Sequence, residues 1–347
     1  MKAALYEDFG APLKITSVPD PVPGNNDAVI KIMASGICRS DWHGWLGRDP
    51  DIKYLPHIPG HELSGIVEAV GKNVTRWKKG DRITAPFVCG CGNCAECNSG
   101  NHHICDNQSQ PGFTHWGSFA EYTKIKNADI NLVRLPEEID FITVASLGCR
   151  FSTSFRAITA QGKLMQGQWL AVHGCGGIGL SAIMIAHAIG VNIVAIDINE
   201  NVLDLAKSLG ATIVINALNV VKVAEAIKEI TGGGAHVSID ALGSKQTCIN
   251  SINCLRKRGR HIQVGLLVGD DYYTSLPMDL VISRELEIVG SHGMQANAYG
   301  KLLELISSGK LQPQKIIGKT IPIEKAPTEL ESMGNFGAIG ITIINQF

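Results

Sequence analysis

The second half of this 347-residue chain is predicted to form a doubly wound α/β domain, and the first half a smaller, mainly antiparallel β domain. Three observations carry that prediction. Strand-like and helix-like segments alternate from Gln168 to Gly290, a pattern that gives a parallel sheet covered by helices. A glycine-rich turn, Gly174-Cys175-Gly176-Gly177-Ile178-Gly179, joins the first strand of that series to its first helix. Before residue 150, short apolar runs are separated by Pro-rich turns such as Val18-Pro-Asp-Pro-Val-Pro-Gly24, which suits hairpins.

Taken in order, Ala28-Val-Ile-Lys-Ile-Met33 is the first clear strand. Gly36-Ile37-Cys38-Arg39-Ser40-Asp41-Trp42-His43 follows and packs a thiol, a guanidinium, a hydroxyl, a carboxylate and an imidazole into its last six residues. A turn built only for packing has no need of such density. Pro59-Gly60-His61-Glu62 leads into a second strand over 63–70.

Cys91, Cys94, Cys97 and Cys105 are spaced C-x2-C-x2-C-x7-C. Short C-x2-C steps let one looped backbone present several thiolates to a single ion, and four of them close a tetrahedral zinc shell with no position left for substrate. An iron–sulfur cluster is the competing reading of this spacing. Cys89 is one thiol too many and reads as a bystander, and His102 and His103 read as loop surface.

The strand over 168–174 is followed by the glycine turn, a helix closed by Gly190, a strand over 191–196 and Asp197 at its end. This is the dinucleotide-binding βαβ unit: glycines for a tight turn, for close approach of backbone N–H groups to a pyrophosphate and for helix–strand packing. Phosphates sit at the helix N-terminus, where unpaired N–H groups and the dipole favour negative charge. An acid at the end of the second strand bonds a ribose 2′-OH and repels a 2′-phosphate, so NAD is expected over NADP. Helices over 201–209, 221–230 and 247–255 alternate with strands over 211–215, 235–240 and 260–264. A further strand over 286–290, a helix over 298–307 and a strand over 338–345 complete the chain, the last returning to the first domain.

The bulk properties exclude several classes. Composition is 45% hydrophobic and 18% charged with a net charge of −1, so no basic surface argues for nucleic acid. Residues 169–196 carry no Asp, Glu, Lys or Arg. Their glycines and β-branched ends fit a buried strand–helix–strand better than a membrane span. Ten cysteines behind an N-terminus that does not read as an export signal point to metal ligands or reduced thiols and to a cytoplasmic setting.

Together, Cys-Arg-Ser-Asp-x-His at 38–43, Gly-His-Glu at 60–62, the four-cysteine loop, the late Cys149 and the glycine turn with its acid resemble a zinc-dependent alcohol dehydrogenase of the medium-chain dehydrogenase/reductase superfamily. The resemblance covers nearly the whole chain. It implies a GroES-like catalytic domain over 1–150, a Rossmann domain over 151–292 and a return to the catalytic domain over 293–347. It further implies two zinc ions per subunit, one structural and one catalytic, the latter held by Cys38, His61 and Cys149 with Glu62 close by. Asp41 would hydrogen-bond His61, Ser40 would touch the substrate oxygen and His43 would end a proton relay. Arg39 would meet the pyrophosphate, Thr153 the nicotinamide, Asp197 the adenosine ribose, and Gly174, Gly176, Gly177, Ile178 and Gly179 the phosphates.

The chemistry is coherent without the name. Two thiolates, one imidazole and an open position make a catalytic zinc site, where a zinc-bound alkoxide forms at neutral pH and passes hydride to NAD. The expected function is reversible oxidation of primary or secondary alcohols to aldehydes or ketones. A polyol or amino-alcohol dehydrogenase is the alternative within the enzyme class, and a non-catalytic binding or structural member the alternative outside it. Polyol relatives tend to carry Glu in place of the late Cys, so Cys149 favours simple alcohols. Near the C-terminus many relatives have an Arg for the pyrophosphate where this chain reads Gly337-Ala-Ile-Gly, which shifts that load to Arg39. Trp42, Trp45, Phe87 and Trp116 could line the substrate slot or the core; the resemblance favours Phe87 and Trp45. A homodimer or homotetramer is expected.

Overall fold

A computed structural model describes residues 1–335 and 339–347, Asn335 by its backbone alone. The chain divides into two compact units, one of Met1–Ser152, Gly293–Gly309 and Pro313–Phe347, the other of Thr153–His292 and Lys310–Gln312.

The first unit is organised on a seven-stranded sheet. Its central strand, Ala28–Ile37, is buried along almost its whole length and runs four residues past Met33, where the sequence pattern ends. Ile30, Ile32 and Ile37 lie in the core, each contributing about 1.5–3 kcal/mol by leaving water. Glu62–Val70 pairs antiparallel with it, Gly36 opposite Glu62 and Ser35 opposite Leu63. That register places Cys38, just beyond the end of one strand, beside His61, just before the start of the other. On the other side, Ile341–Gln346 pairs antiparallel with Ala28–Ile37. The C-terminal strand thus begins three residues later than the apolar run suggests, and Gly337 and Ala338 lie outside the described residues.

Several helical segments were not legible in the pattern, two of them beside the site. Arg39–Trp45 is a short helix where the polar cluster reads as a turn. Phe141–Ala145 leads into a π-helical turn, Leu147–Phe151, that carries Cys149. Such turns are found mostly at functional positions, because the extra residue per turn re-aims a side chain.

The second unit holds six parallel strands in the order Ile213–Asn216, Asn192–Asp197, Trp169–His173, Ala235–Asp240, Leu255–Gln263 and Glu287–Gly290. Strand order reverses beside Trp169–His173, the place where open α/β sheets take ligands at their carboxyl ends. Leu170, Ala171 and Val172 are fully buried, as expected of a strand covered on both faces. The helix after the glycine turn is Gly177–Ile189, ended by Gly190 in the left-handed region. No helix among the described residues is long and apolar enough to cross a membrane.

Candidate active site

Cys38, His61, Glu62 and Cys149 each offer a ligand atom, and these atoms all lie within 4.8 Å of one another. Cys38 occupies the N-cap of Arg39–Trp45, and its N–H donates to Asp41 Oδ2 at 2.9 Å. The other Asp41 oxygen accepts from Gly60 N–H at 2.9 Å and pairs with His61 Nδ1 at 2.8 Å. Asp41 and His61 are both buried. His61 Nε2 is also buried, yet it has no hydrogen-bond partner. A buried imidazole nitrogen without a partner is costly unless something else takes its lone pair. The Asp41 bond assigns the proton to Nδ1 and leaves Nε2 as a donor atom for a metal.

The charges agree. Hydrogen bonding from Cys149 holds the Cys38 thiol well below its ordinary range, and sharing that proton pushes Cys149 well above. Burial works against a charged His61, but Asp41's charge and hydrogen bond outweigh it and hold the imidazole well above its usual value, so a metal taking Nε2 would displace the proton held there. One proton is thus shared by two thiols, beside a buried carboxylate. A divalent cation resolves that arrangement by neutralising both sulfurs, so the donor set fits zinc.

Arg150 was not singled out by any motif. It is buried and pairs through its guanidinium with both oxygens of Glu62. Phe113 was also missed; its ring lies 5.0 Å from that of His61, and Phe87, which the sequence did suggest, lies at 6.0 Å. Trp45 is placed differently: its indole N–H donates to Ala11 O at 2.6 Å and its ring packs on the core around Tyr6. Ser40 Oγ lies 3.8 Å from Cys38 Sγ. His43 stacks edge-on against Trp42 at 5.0 Å, and its Nδ1 is buried without a partner. Burial, with help from Arg39 and Arg48, pushes the His43 pKa down, so the ring is neutral and able to accept a proton near pH 7. Arg39 donates to Met333 O at 2.9 Å and lies 4.8 Å over the Trp42 ring.

The sulfurs of Cys91, Cys94, Cys97 and Cys105 likewise fall within 4.8 Å of one another. Backbone N–H groups of Cys97, Cys91 and Asn107 donate to Cys94 Sγ and Cys105 Sγ at 3.2–3.4 Å. The Cys91 thiol is pulled down to about 6, chiefly by the Asn93 backbone, while burial pushes Cys105 up to about 12. Cys89 stands outside the group; burial raises its thiol to about 12. His103 is not loop surface as the sequence suggests: it is only 1% exposed, in the short 3-10 turn His102–Ile104.

In the second unit, Gly174 adopts φ +88° and makes the tight turn. A Cβ on Gly179 would collide with Gly174 O, so that glycine permits close helix–strand packing. A Cβ on Gly176 would meet nothing within 4 Å. Gly176 therefore leaves open the space that a phosphate needs in front of the helix N-terminus. Asp197 Oδ2 accepts from Cys175 N–H at 2.7 Å, and Oδ1 from Ile198 and Asn199 N–H at 2.7 and 3.0 Å. The acid thus fastens the glycine turn to the second strand. Ile178 O accepts from Ser154 Oγ at 2.8 Å. Thr153 is buried, and its hydroxyl has no partner. Asp240, which no motif indicated, accepts from Leu242 and Gly243 N–H at 3.1 and 3.0 Å, and Leu242 packs over Gly174.

Comparison with known proteins agrees with this arrangement. Residues 24–137 match the family described as alcohol dehydrogenase GroES-like domain, and residues 177–308 the one described as zinc-binding dehydrogenase. An alcohol dehydrogenase of Geobacillus stearothermophilus is 33% identical over 325 residues, 93% of each chain. An NAD-dependent alcohol dehydrogenase of Sulfurisphaera tokodaii is 33% identical over 99% of each. The structure of benzyl alcohol dehydrogenase from Acinetobacter calcoaceticus superposes with a TM-score of 0.91 at 28% identity, covering 100% of this chain and 99% of that one. With both metal clusters assembled and both family domains matched, the chain belongs to the zinc-binding alcohol dehydrogenases of the medium-chain dehydrogenase/reductase family.

Proposed function

We propose that this zinc-dependent, NAD-linked alcohol dehydrogenase oxidises primary and secondary alcohols reversibly to aldehydes and ketones. The observation that carries the reading is His61: one ring nitrogen is fixed by Asp41 and the other left without a partner between two thiols. When bound, zinc at that cluster polarises an alcohol hydroxyl and the nicotinamide accepts the hydride. Around it, Asp41 keeps the imidazole oriented. Ser40, next to Cys38, is assigned to receive the hydroxyl proton, and neutral His43 to carry it onward. Phe87 and Phe113, whose rings face that of His61, are assigned to wall the ligands and exclude water. By family resemblance Arg39 is assigned to the pyrophosphate and Thr153 to the nicotinamide, and residues 174–179 to the phosphates.

The test combines metal analysis with turnover. About two zinc ions per chain are expected, one for each cluster. NAD reduction should be fastest with simple alcohols such as benzyl alcohol, ethanol or 2-propanol. A strong preference for sorbitol would move the assignment to the polyol enzymes. Two bound metals with no NAD reduction by any alcohol would favour a non-catalytic member.

Cofactor choice is assigned to Asp197. Asp197→Asn keeps an acceptor oxygen for the glycine turn while removing the charge that repels a 2′-phosphate. A charge-assisted hydrogen bond contributes about 1.5–3 kcal/mol, so the ratio of kcat/KM for NAD over NADP should fall by about tenfold or more. An unchanged ratio would assign the selection to another group.

Assembly into a homodimer or homotetramer is supported by the sheet's edge. Among the described residues Glu287–Gly290 has no strand partner on its outer side, and Ile282 and Ile288 nearby are 77% and 37% exposed. An uncovered edge strand beside exposed apolar residues invites pairing with a second copy.

A further inference from the structure

Behind the three ligands lies an ion pair that the reaction as described does not use. Glu62 is fully buried, and its side chain occupies a slot between Gly36 and Gly148, where a Cβ at either glycine would collide with it. Glu62 Oε1 accepts from the N–H groups of Cys149 at 2.8 Å and Arg150 at 3.2 Å, and from Arg150 Nε at 3.2 Å. Oε2 accepts from Arg150 Nη2. Among the described residues Glu62 is Arg150's one ion-pair partner. Each member of the pair directly follows a candidate ligand in sequence, Glu62 after His61 and Arg150 after Cys149.

The position of Glu62 poses a chemical problem. Its carboxylate is within 4.8 Å of the other ligand atoms, and carboxylates bind zinc well. Were it to swing inward, four protein ligands would close the shell, as in the four-cysteine lobe, and leave no position for substrate. Both of its oxygens are instead engaged by a planar, two-pronged guanidinium and by backbone N–H groups, among the strongest hydrogen bonds available to a carboxylate. Inward movement would also strand a buried cation without its partner.

We propose that Arg150 is a positioning residue that keeps Glu62 from becoming a fourth protein ligand, and so preserves the open coordination position of the catalytic metal. The inference rests on the reading of Cys38, His61 and Cys149 as a metal site. It also accounts for the two glycines: Gly36 and Gly148 admit Glu62 to the slot in which Arg150 holds it.

The test is the rate at which a chelator removes each metal from the loaded enzyme, with the four-cysteine metal as internal reference. In Arg150→Met, Glu62 is released onto the metal. Removal of the catalytic equivalent should slow by on the order of tenfold, the scale on which groups around a metal set its affinity. The lobe's equivalent should leave at its original rate. Adding Glu62→Gln to Arg150→Met should restore fast removal. Should Arg150→Met not fold, Arg150→Lys keeps the charge but cannot grip both oxygens, and should show the same slowing in smaller measure. Removal at the wild-type rate or faster in the variant that folds, or slowing that persists with Glu62→Gln, overturns the proposal. A wild-type chain that binds only one metal overturns the reading of the site itself; two metals with unchanged removal overturn Arg150's role alone.

Discussion

Cys149→Ser should lower kcat/KM for alcohol oxidation by at least about 10³-fold, because Lewis-acid polarisation contributes several kcal/mol to the barrier and each 1.36 kcal/mol is about tenfold in rate. A serine hydroxyl does not ionise near neutral pH, so the cluster would keep only Cys38 and His61 as strong ligands. The fold should survive the change. What Cys149 gives the structure is its backbone N–H, which donates to Glu62 Oε1 at 2.8 Å and is untouched by the substitution. The side chain is partly exposed, on a helical turn whose neighbours Leu147, Gly148 and Phe151 provide the burial. A loss of melting temperature within a few degrees is expected, in line with the small cost of substitutions away from the core. Metal analysis should show one zinc ion per chain instead of two. Near-normal turnover by a chain with one metal would remove Cys149 from the site.

The candidate ligands could be picked out in the sequence because their chemistry is local. Gly60-His61-Glu62 and Cys38 to His43 concentrate reactive side chains beyond what packing needs, and the glycine turn lies between a strand and a helix. Arg150 could not be read that way. Nothing distinguishes an arginine after a cysteine until the register of Glu62–Val70 on Ala28–Ile37 and the π-helical turn bring it against Glu62. Phe113 was hidden for the same reason, since its contact with His61 joins residues about fifty positions apart, across two strands and the four-cysteine lobe. Asp240 illustrates a third case. It ends a strand that was placed correctly, but only the folded loops show it accepting from Leu242 and Gly243. Trp45 is a further case: an aromatic residue near a reactive cluster suggests a substrate wall, and only the folded chain shows its indole N–H donating to Ala11 O. Periodicity also missed Arg39–Trp45, because seven residues rich in polar side chains carry no apolar stripe.

Cys94→Ser should act on stability before it acts on chemistry. The lobe around the four cysteines has almost nothing else to hold it: from Cys91 to Gly100 only Cys97 is buried, and Ile104 is 46% exposed. With so little apolar surface withdrawn from water, a metal held by the four sulfurs would serve as the core, and its binding free energy would be folding free energy. Cys94 has two structural tasks, since its sulfur is one of the four and also caps Ala95–Asn98 by accepting from Cys97 N–H at 3.4 Å. The base of the lobe is fastened separately, by Asn131, which accepts from Gly90 N–H at 2.8 Å and donates to Gly90 O at 2.9 Å. Loss of the metal should therefore unfold the lobe outward from that clamp. The expected result is one zinc ion per chain, new proteolytic cleavage between 91 and 105, and a melting temperature lower by on the order of 10 °C, equivalent to about 7 kcal/mol in a protein of this size. Turnover measured at low temperature on freshly purified protein should fall far less than in Cys149→Ser, because Cys38, His61 and Cys149 keep their own metal. Unchanged melting and resistance to protease would show that the four sulfurs do not hold a structural ion. Loss of turnover equal to that of Cys149→Ser in a protein still folded would show that the two clusters depend on each other.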